Sequence, residues 1–228
     1  MKRIFFLLLI IFLPMYIFLK GVEINAFNKK LYIDSYKKNN VMDITGKELK
    51  ELEIITEDIF SYLRDDSDEE ILSSYFNSRE IKHMEDVKVL FEKGFKIKKL
   101  SLALFLFGII GLVVLGESSK IAKGIFYGNL VWWFIIIILF MFTTMNFNKY
   151  FTYFHEIFFD NDLWLLNPYE DLVIQMLPEE FFINIFNRIL LFFISILAII
   201  QLISYIFMKK GKDIDGFFNQ IKGLFRQD

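Results

Sequence analysis

The chain has 228 residues, 55% of them hydrophobic, with 29 phenylalanines and a formal net charge of −2. So apolar a composition excludes an ordinary soluble domain and predicts several membrane spans, and the charge gives no reason to expect a nucleic-acid partner. Cysteine is absent, which excludes a disulfide framework, thiolate metal sites and a protein thiol nucleophile.

Four runs carry no charged residue: 4–19, 100–115, 125–145 and 189–208. A spanning helix needs about 20 apolar residues. The third and fourth runs suffice. The first two are short and call for snorkelling by Arg3, Lys20 and Lys99, or for a locally thinned bilayer. The first run, preceded by Lys2 and Arg3, also resembles a signal peptide. The following Lys20-Gly21-Val22-Glu23 offers no small-x-small cleavage site, so it is expected to be retained. Pro14 within it is expected to kink the helix.

Orientation follows from the cations near the span ends. With the N-terminus inside, Lys2 and Arg3, Lys120 and Lys123, and Lys209, Lys210, Lys212, Lys222 and Arg226 are all cytoplasmic. Lys96, Lys98 and Lys99 run against this, but a segment as long as 22–99 translocates largely regardless of charge. The expected fold class is an all-α membrane protein. A first transmembrane helix (1–21) precedes a small, mainly helical extracytoplasmic cap (22–99). Residues 100–145 form the second and third transmembrane helices with a short cytoplasmic loop. An extracytoplasmic loop rich in aromatic and acidic residues (146–188), a fourth transmembrane helix (189–208) and a cytoplasmic amphipathic tail (209–228) complete the chain.

Within the cap, residues 22–43 suggest no element. Thr45-Gly-Lys-Glu48 reads as a capping box, followed by Leu49, Leu52, Ile55, Ile59 and Leu63 at helical spacing. Ser67-Asp-Glu-Glu70 reads as a second capping box before Ile71, Leu72, Tyr75 and Phe76. A third helix is expected from Asn77 or Ser78, with Met84, Val87, Leu90 and Phe91 on its apolar side, ending at Gly94. Such short helices cannot bury a good core alone, so they are expected to lie as a lid with their apolar faces down. In the tail, Ile214, Phe217, Phe218, Ile221, Leu224 and Phe225 recur at helical spacing, as in a helix lying in the cytoplasmic interface.

Two segments carry residues capable of chemistry. In the third cap helix, Glu80, His83 and Asp86 are three apart and share a face. A carboxylate one turn from an imidazole can orient it, although taken alone this face is a solvated charged one. In the 146–188 loop, His155 lies among Phe151, Phe154, Phe158 and Phe159. Aromatics are expected at any membrane interface. Less ordinary are Asp160, Asn161, Asp162, Trp164, Asn167 and Asp171 in a loop that packs on lipid, because desolvated polar groups are costly unless paired. The two histidines could act as general base and general acid, since imidazole titrates near pH 6.5. With carboxylates they could instead bind a metal in a membrane hydrolase, although no HExxH-type spacing supports that. A non-catalytic membrane protein whose cap binds a partner is the third possibility. No GxSxG elbow or phosphate-cradling glycine loop is present. Ser195, Gln201 and Ser204 in the fourth span read as helix-packing groups.

His83-Met84-x-Asp86-Val87, His155-x-x-Phe158-Phe159-x-Asn161-Asp162-x-Trp164, Asn167-Pro168-x-x-Asp171 and Leu177-Pro178-Glu179-x-Phe181-Phe182 resemble the signature of the bacterial lipoprotein intramolecular transacylase family. The four-span layout is similar too. The resemblance implies an acyltransferase acting on lipoproteins whose N-terminal cysteine carries a diacylglyceryl group. The sn-2 acyl chain would move from ester to amide on the cysteine α-amino group, with His83 and His155 as the catalytic pair. Glu80, Asp86, Asn161, Asp162, Trp164 and Asp171 would then orient the pair or shape the site, with Asn161 as the preferred oxyanion donor. The reaction requires no cofactor. The partners implied are the diacylglyceryl lipoprotein and membrane lipid. The place implied is the bacterial cytoplasmic membrane, with both termini inside and the site at the outer leaflet.

Overall fold

The computed structural model describes residues 2–209, with backbone alone for 142–145; the expected tail helix over 210–228 lies outside the described residues. The described chain is helical, without a strand. In order come α1 (Lys2–Ala26), α2 (Lys29–Lys38), α3 (Val41–Thr45), α4 (Leu49–Leu63) and α5 (Glu70–Ser73), then α6 (Ser78–Val114), α7 (Ile121–Met145), α8 (Phe147–Phe158), α9 (Leu172–Met176) and α10 (Glu179–Lys209). Among the described residues, four helices are long and apolar enough to cross a membrane: α1, α6, α7 and α10. The spanning part of α6 is its charge-free half from Leu100 onward.

The chain divides into two compact units. One comprises the chain up to Gly21, Ile97–Leu139 and the chain from Leu190; the other comprises Val22–Lys96 and Phe140–Ile189. The first unit is built around Ile17, Ile136, Phe193 and Leu197. Its helices make direct side-chain-to-backbone bonds, Trp132 Nε1 donating to the Ile10 carbonyl at 2.7 Å and Gln201 Nε2 to the Phe126 carbonyl at 3.2 Å. Such bonds are the interhelical polar contacts open to helices in lipid. Gly111 and Gly128 allow close approach: a Cβ on either would stand 2.4 Å from the Phe5 ring or the Ile10 side chain. Glu117, between α6 and α7, is bound by Lys2 and Lys120. Outward positions are apolar as well, with Ile110, Phe134, Leu191 and Leu202 each at least 60% exposed. Water does not tolerate so many such side chains together, whereas lipid does.

The second unit has a core of its own, shared between its two segments. Leu31, Tyr36, Val41, Leu52, Ile55 and Leu72 from the first segment pack with Val173, Met176 and Phe181 from the second. Segments far apart in sequence thus supply together the apolar area that neither holds alone. Tyr36 and Thr56 share a buried hydroxyl bond of 2.7 Å.

Several local expectations change. Residues 22–43, unassigned from sequence, extend α1 and form α2. Thr45 ends α3 rather than capping α4, and the following Gly46 takes φ +66° as the helix C-cap, the usual glycine stop. Glu48 stands at the start of α4 with no side-chain cap bond. Ser67 caps nothing: α5 is a single turn starting at Glu70. Gly94 does not end the third helix, since α6 runs through it to Val114.

Candidate functional site

All the residues singled out from the sequence for chemistry fall in the second unit. The site is built on the first turns of α6, on α8, and on the 159–171 connection between α8 and α9.

The start of α6 is fixed first. Asn77 is its cap: Asn77 Oδ1 accepts from the backbone N–H groups of Arg79 and Glu80 at 2.9 and 3.1 Å, and Glu80 Oε2 accepts from the Asn77 N–H at 2.9 Å. This reciprocal pair is a capping box. The other oxygen of Glu80 accepts from the Val173 N–H at 2.7 Å, and the Asn77 amide donates to Asp171 Oδ1, also at 2.7 Å. Asp171 Oδ2 in turn accepts from the Asn167 N–H. Glu80 is 2% exposed. Burial raises its pKa, against the backbone N–H donors that favour its charged form. Glu80 and Asp171 therefore join α6 to α9, and both oxygens of Glu80 are held by backbone.

One turn further, His83 is buried, and its Nδ1 has no hydrogen-bond partner. His155, on α8, is buried too. The two imidazole centroids are 6.3 Å apart, and the Phe159 ring lies 5.5 Å from each. Trp164 stacks on His155 at 4.8 Å and 26°, and Phe151 meets it edge-on at 4.4 Å. His155 Nδ1 lies 2.7 Å from the Phe151 carbonyl. A carbonyl only accepts, so Nδ1 carries the proton and Nε2 the lone pair in the neutral ring.

Both rings are held below the ordinary imidazole pKa. Burial, then the neighbouring His155, pulls His83 down to about 4, against the opposing pull of Asp86. Burial lowers His155, with the Phe151 carbonyl acting the other way. Desolvation disfavours the cation, so both imidazoles are neutral at pH 7.

The remaining sequence candidates take up supporting positions. Asp86 accepts from Asn161 Nδ2 at 2.9 Å, and Asn161 Oδ1 accepts from the Leu163 N–H at 3.0 Å. The Asn161 carboxamide thus ties the loop to α6 through one of the two N–H groups on Nδ2. Asp162 takes part through its carbonyl, which accepts from Arg79 Nη2 at 2.8 Å. Asn77, read only as a possible helix start, and Arg79 were missed as site residues, whereas Phe159 was already named beside His155. The Asn77-x-x-Glu80 spacing was a legible signal for the first of these. Among the described residues, no three His, Asp or Glu side chains gather as a metal site would require.

The family model described as lipoprotein intramolecular transacylase Lit matches residues 7–182. The chain belongs to this family. The lipoprotein intramolecular transacylases are acyltransferases, and this member is an integral membrane protein. Among solved structures it is similar to the in meso structure of the membrane integral transacylase Lit from Bacillus cereus, with 24% identity over 93% of this chain and 98% of that one and a TM-score of 0.83. Two further structures of the Bacillus cereus protein carry a histidine replaced by arginine or by alanine. Both are 24% identical and cover 93% of this chain, matching 94% and 96% of those chains with a TM-score of 0.77. Comparison with curated proteins gave no match. The likeness to these structures establishes the shared fold of this transacylase.

Proposed function

We propose that His83 and His155 together carry the family's ester-to-amide transfer, moving the sn-2 acyl chain of a diacylglyceryl cysteine to its own α-amino group. The observation that carries this reading is the meeting of two buried imidazoles, from helices distant in sequence, with ring centroids 6.3 Å apart. That a histidine was the residue replaced in two structures of the Bacillus cereus relative fits it.

The proton balance follows from the geometry. An α-amino group titrates near 8, so its ammonium form first gives a proton to solvent; the neutral amine then attacks the ester carbonyl and sheds a second proton as the amide forms. The C–N bond forms, the glyceryl C–O bond breaks, and the glyceryl oxygen needs a proton. Since both rings are neutral at rest, no acid is charged in advance. The proton delivered to the glyceryl oxygen is the one taken from the amine. His155, whose Nδ1–H is fixed on Phe151, offers Nε2 as the base. His83, with its unpartnered Nδ1, passes the proton on. Ester and amine belong to one molecule, so the aromatic enclosure has chiefly to fold the substrate and exclude water, a proximity contribution of up to ~7–11 kcal/mol.

The cation distribution supports the outer leaflet as the side of the site, and α8 supports a position at the membrane surface. A single residue, Asn146, separates α8 from the apolar α7, and α8 exposes Tyr153, Phe154, Ile157 and Phe158, as a helix lying in a membrane interface does. In intact cells a membrane-impermeant maleimide should label Tyr169→Cys but not Ser118→Cys; the opposite pattern overturns the orientation. For the chemistry, His83→Ala and His155→Ala should each insert normally. In a strain lacking other such activity, each should leave lipoprotein N-termini as diacylglyceryl cysteine by mass spectrometry. Full conversion by both variants would remove the mechanism.

A further inference from the structure

The stretch that covers His155 has no regular secondary structure, yet it holds Trp164 flat against the ring. Around Trp164 its own bonds are few, beginning with Leu163 N–H to Asn161 Oδ1 at 3.0 Å. Leu165 N–H reaches the Asp162 carbonyl at 3.2 Å, and Leu166 N–H reaches the Trp164 carbonyl at 2.9 Å. Trp164 thus rides inside a four-residue turn closed by one long bond. Two side chains of α6 grip the turn where it begins. Asp86 takes the Asn161 amide, and Arg79 Nη2 donates to the same Asp162 carbonyl at 2.8 Å, the shorter of the two bonds on that oxygen. Arg79 and Asp86 lie about two turns apart on one face of α6, with His83 between them.

Arg79 is poorly placed for helix stability. It is the second residue of α6, where backbone N–H groups leave a partial positive charge and a cation is disfavoured. The helix start is already secured by Asn77 and Glu80. Nothing in the α6 cap needs a guanidinium; the Asp162 turn does.

We propose that Arg79 is a positioning residue for the acyl transfer, a strap that holds the Asp162–Leu165 turn closed and so keeps Trp164 stacked on His155. This rests on the reading of His155 as the base. The strap acts through Trp164 and touches neither substrate nor imidazole.

The test uses the full-length protein in detergent, labelled with 5-fluorotryptophan. The Trp164 resonance is assigned by its loss in Trp164→Phe. Arg79→Met keeps the apolar stem and removes the donors. The expected result is a moved Trp164 fluorine resonance, kcat down roughly tenfold (about 1.4 kcal/mol) with KM within about twofold, and a melting midpoint that is unchanged or higher. An unmoved Trp164 resonance, a moved resonance with unchanged kcat, or a fall in kcat that tracks a fall in melting midpoint would each overturn the strap. His155→Ala run alongside separates the two ideas. If it stays active, the base assignment fails, while the fluorine resonance still reports whether Arg79 holds the turn.

Discussion

With one buried carboxylate Glu80 closes the start of α6 and seats α9. Its position one turn before His83 suggested a partner for the imidazole. Instead both of its oxygens accept backbone N–H groups, from Asn77 and Val173, because a buried carboxylate without donors is far costlier than one that closes a helix start and seats α9. The aromatics around His155 were visible in the sequence, but their effect needed coordinates: Phe151, Phe159 and Trp164 enclose the ring and keep its cation out of water. A consequence is measurable, since the chain has only two histidines. In ¹⁵N-histidine-labelled protein both rings should titrate below 6.5, with His83 near 4. The sign for stability follows. The unfolded chain takes up these protons first, so the fold should lose stability as pH falls from about 6.5 through about 4. A ring titrating above 6.5 contradicts the buried neutral pair.

Helices were legible where apolar residues recur for many turns, as in the charge-free halves of α6 and α10. They were less legible where one glycine had to be judged. Thr45-Gly46 looked like the start of a helix, yet Gly46 at φ +66° terminates one. Gly94 looked like a stop, yet an interior glycine costs only about 1 kcal/mol against alanine, too little to break a helix flanked by Phe91, Phe95 and Ile97. The glycines therefore differ in what they tolerate. Gly94 has no atom within 4 Å of an added Cβ, whereas a Cβ on Gly128 meets Ile10 Cγ1 at 2.4 Å. Gly94→Ala should raise the melting free energy by ~0.5–1 kcal/mol, and Gly128→Ala should lower it by roughly 1–3 kcal/mol, as read from thermal unfolding in detergent. Equal effects would mean that the close approach to α1 is not built on Gly128.

At the scale of the whole chain, composition pointed to several membrane spans and the four charge-free runs to an all-helical membrane protein with four of them, and the described residues agree. What composition could not give was the core of the second unit. Its residues come from two segments, Leu31–Met84 and Val173–Phe181, that are far apart in sequence. His83 and His155 meet within that same unit, their ring centroids 6.3 Å apart. In the proposed reaction an acyl chain migrates within one molecule, through this pair and without release to water. The direct measurement gives the purified protein a diacylglyceryl-cysteine lipopeptide deuterated only in its sn-2 chain, followed by mass spectrometry. The deuterated chain should appear as an amide on the α-amino group, with no labelled free fatty acid. Labelled fatty acid in solution, or a deuterated chain still in its ester, would contradict the account.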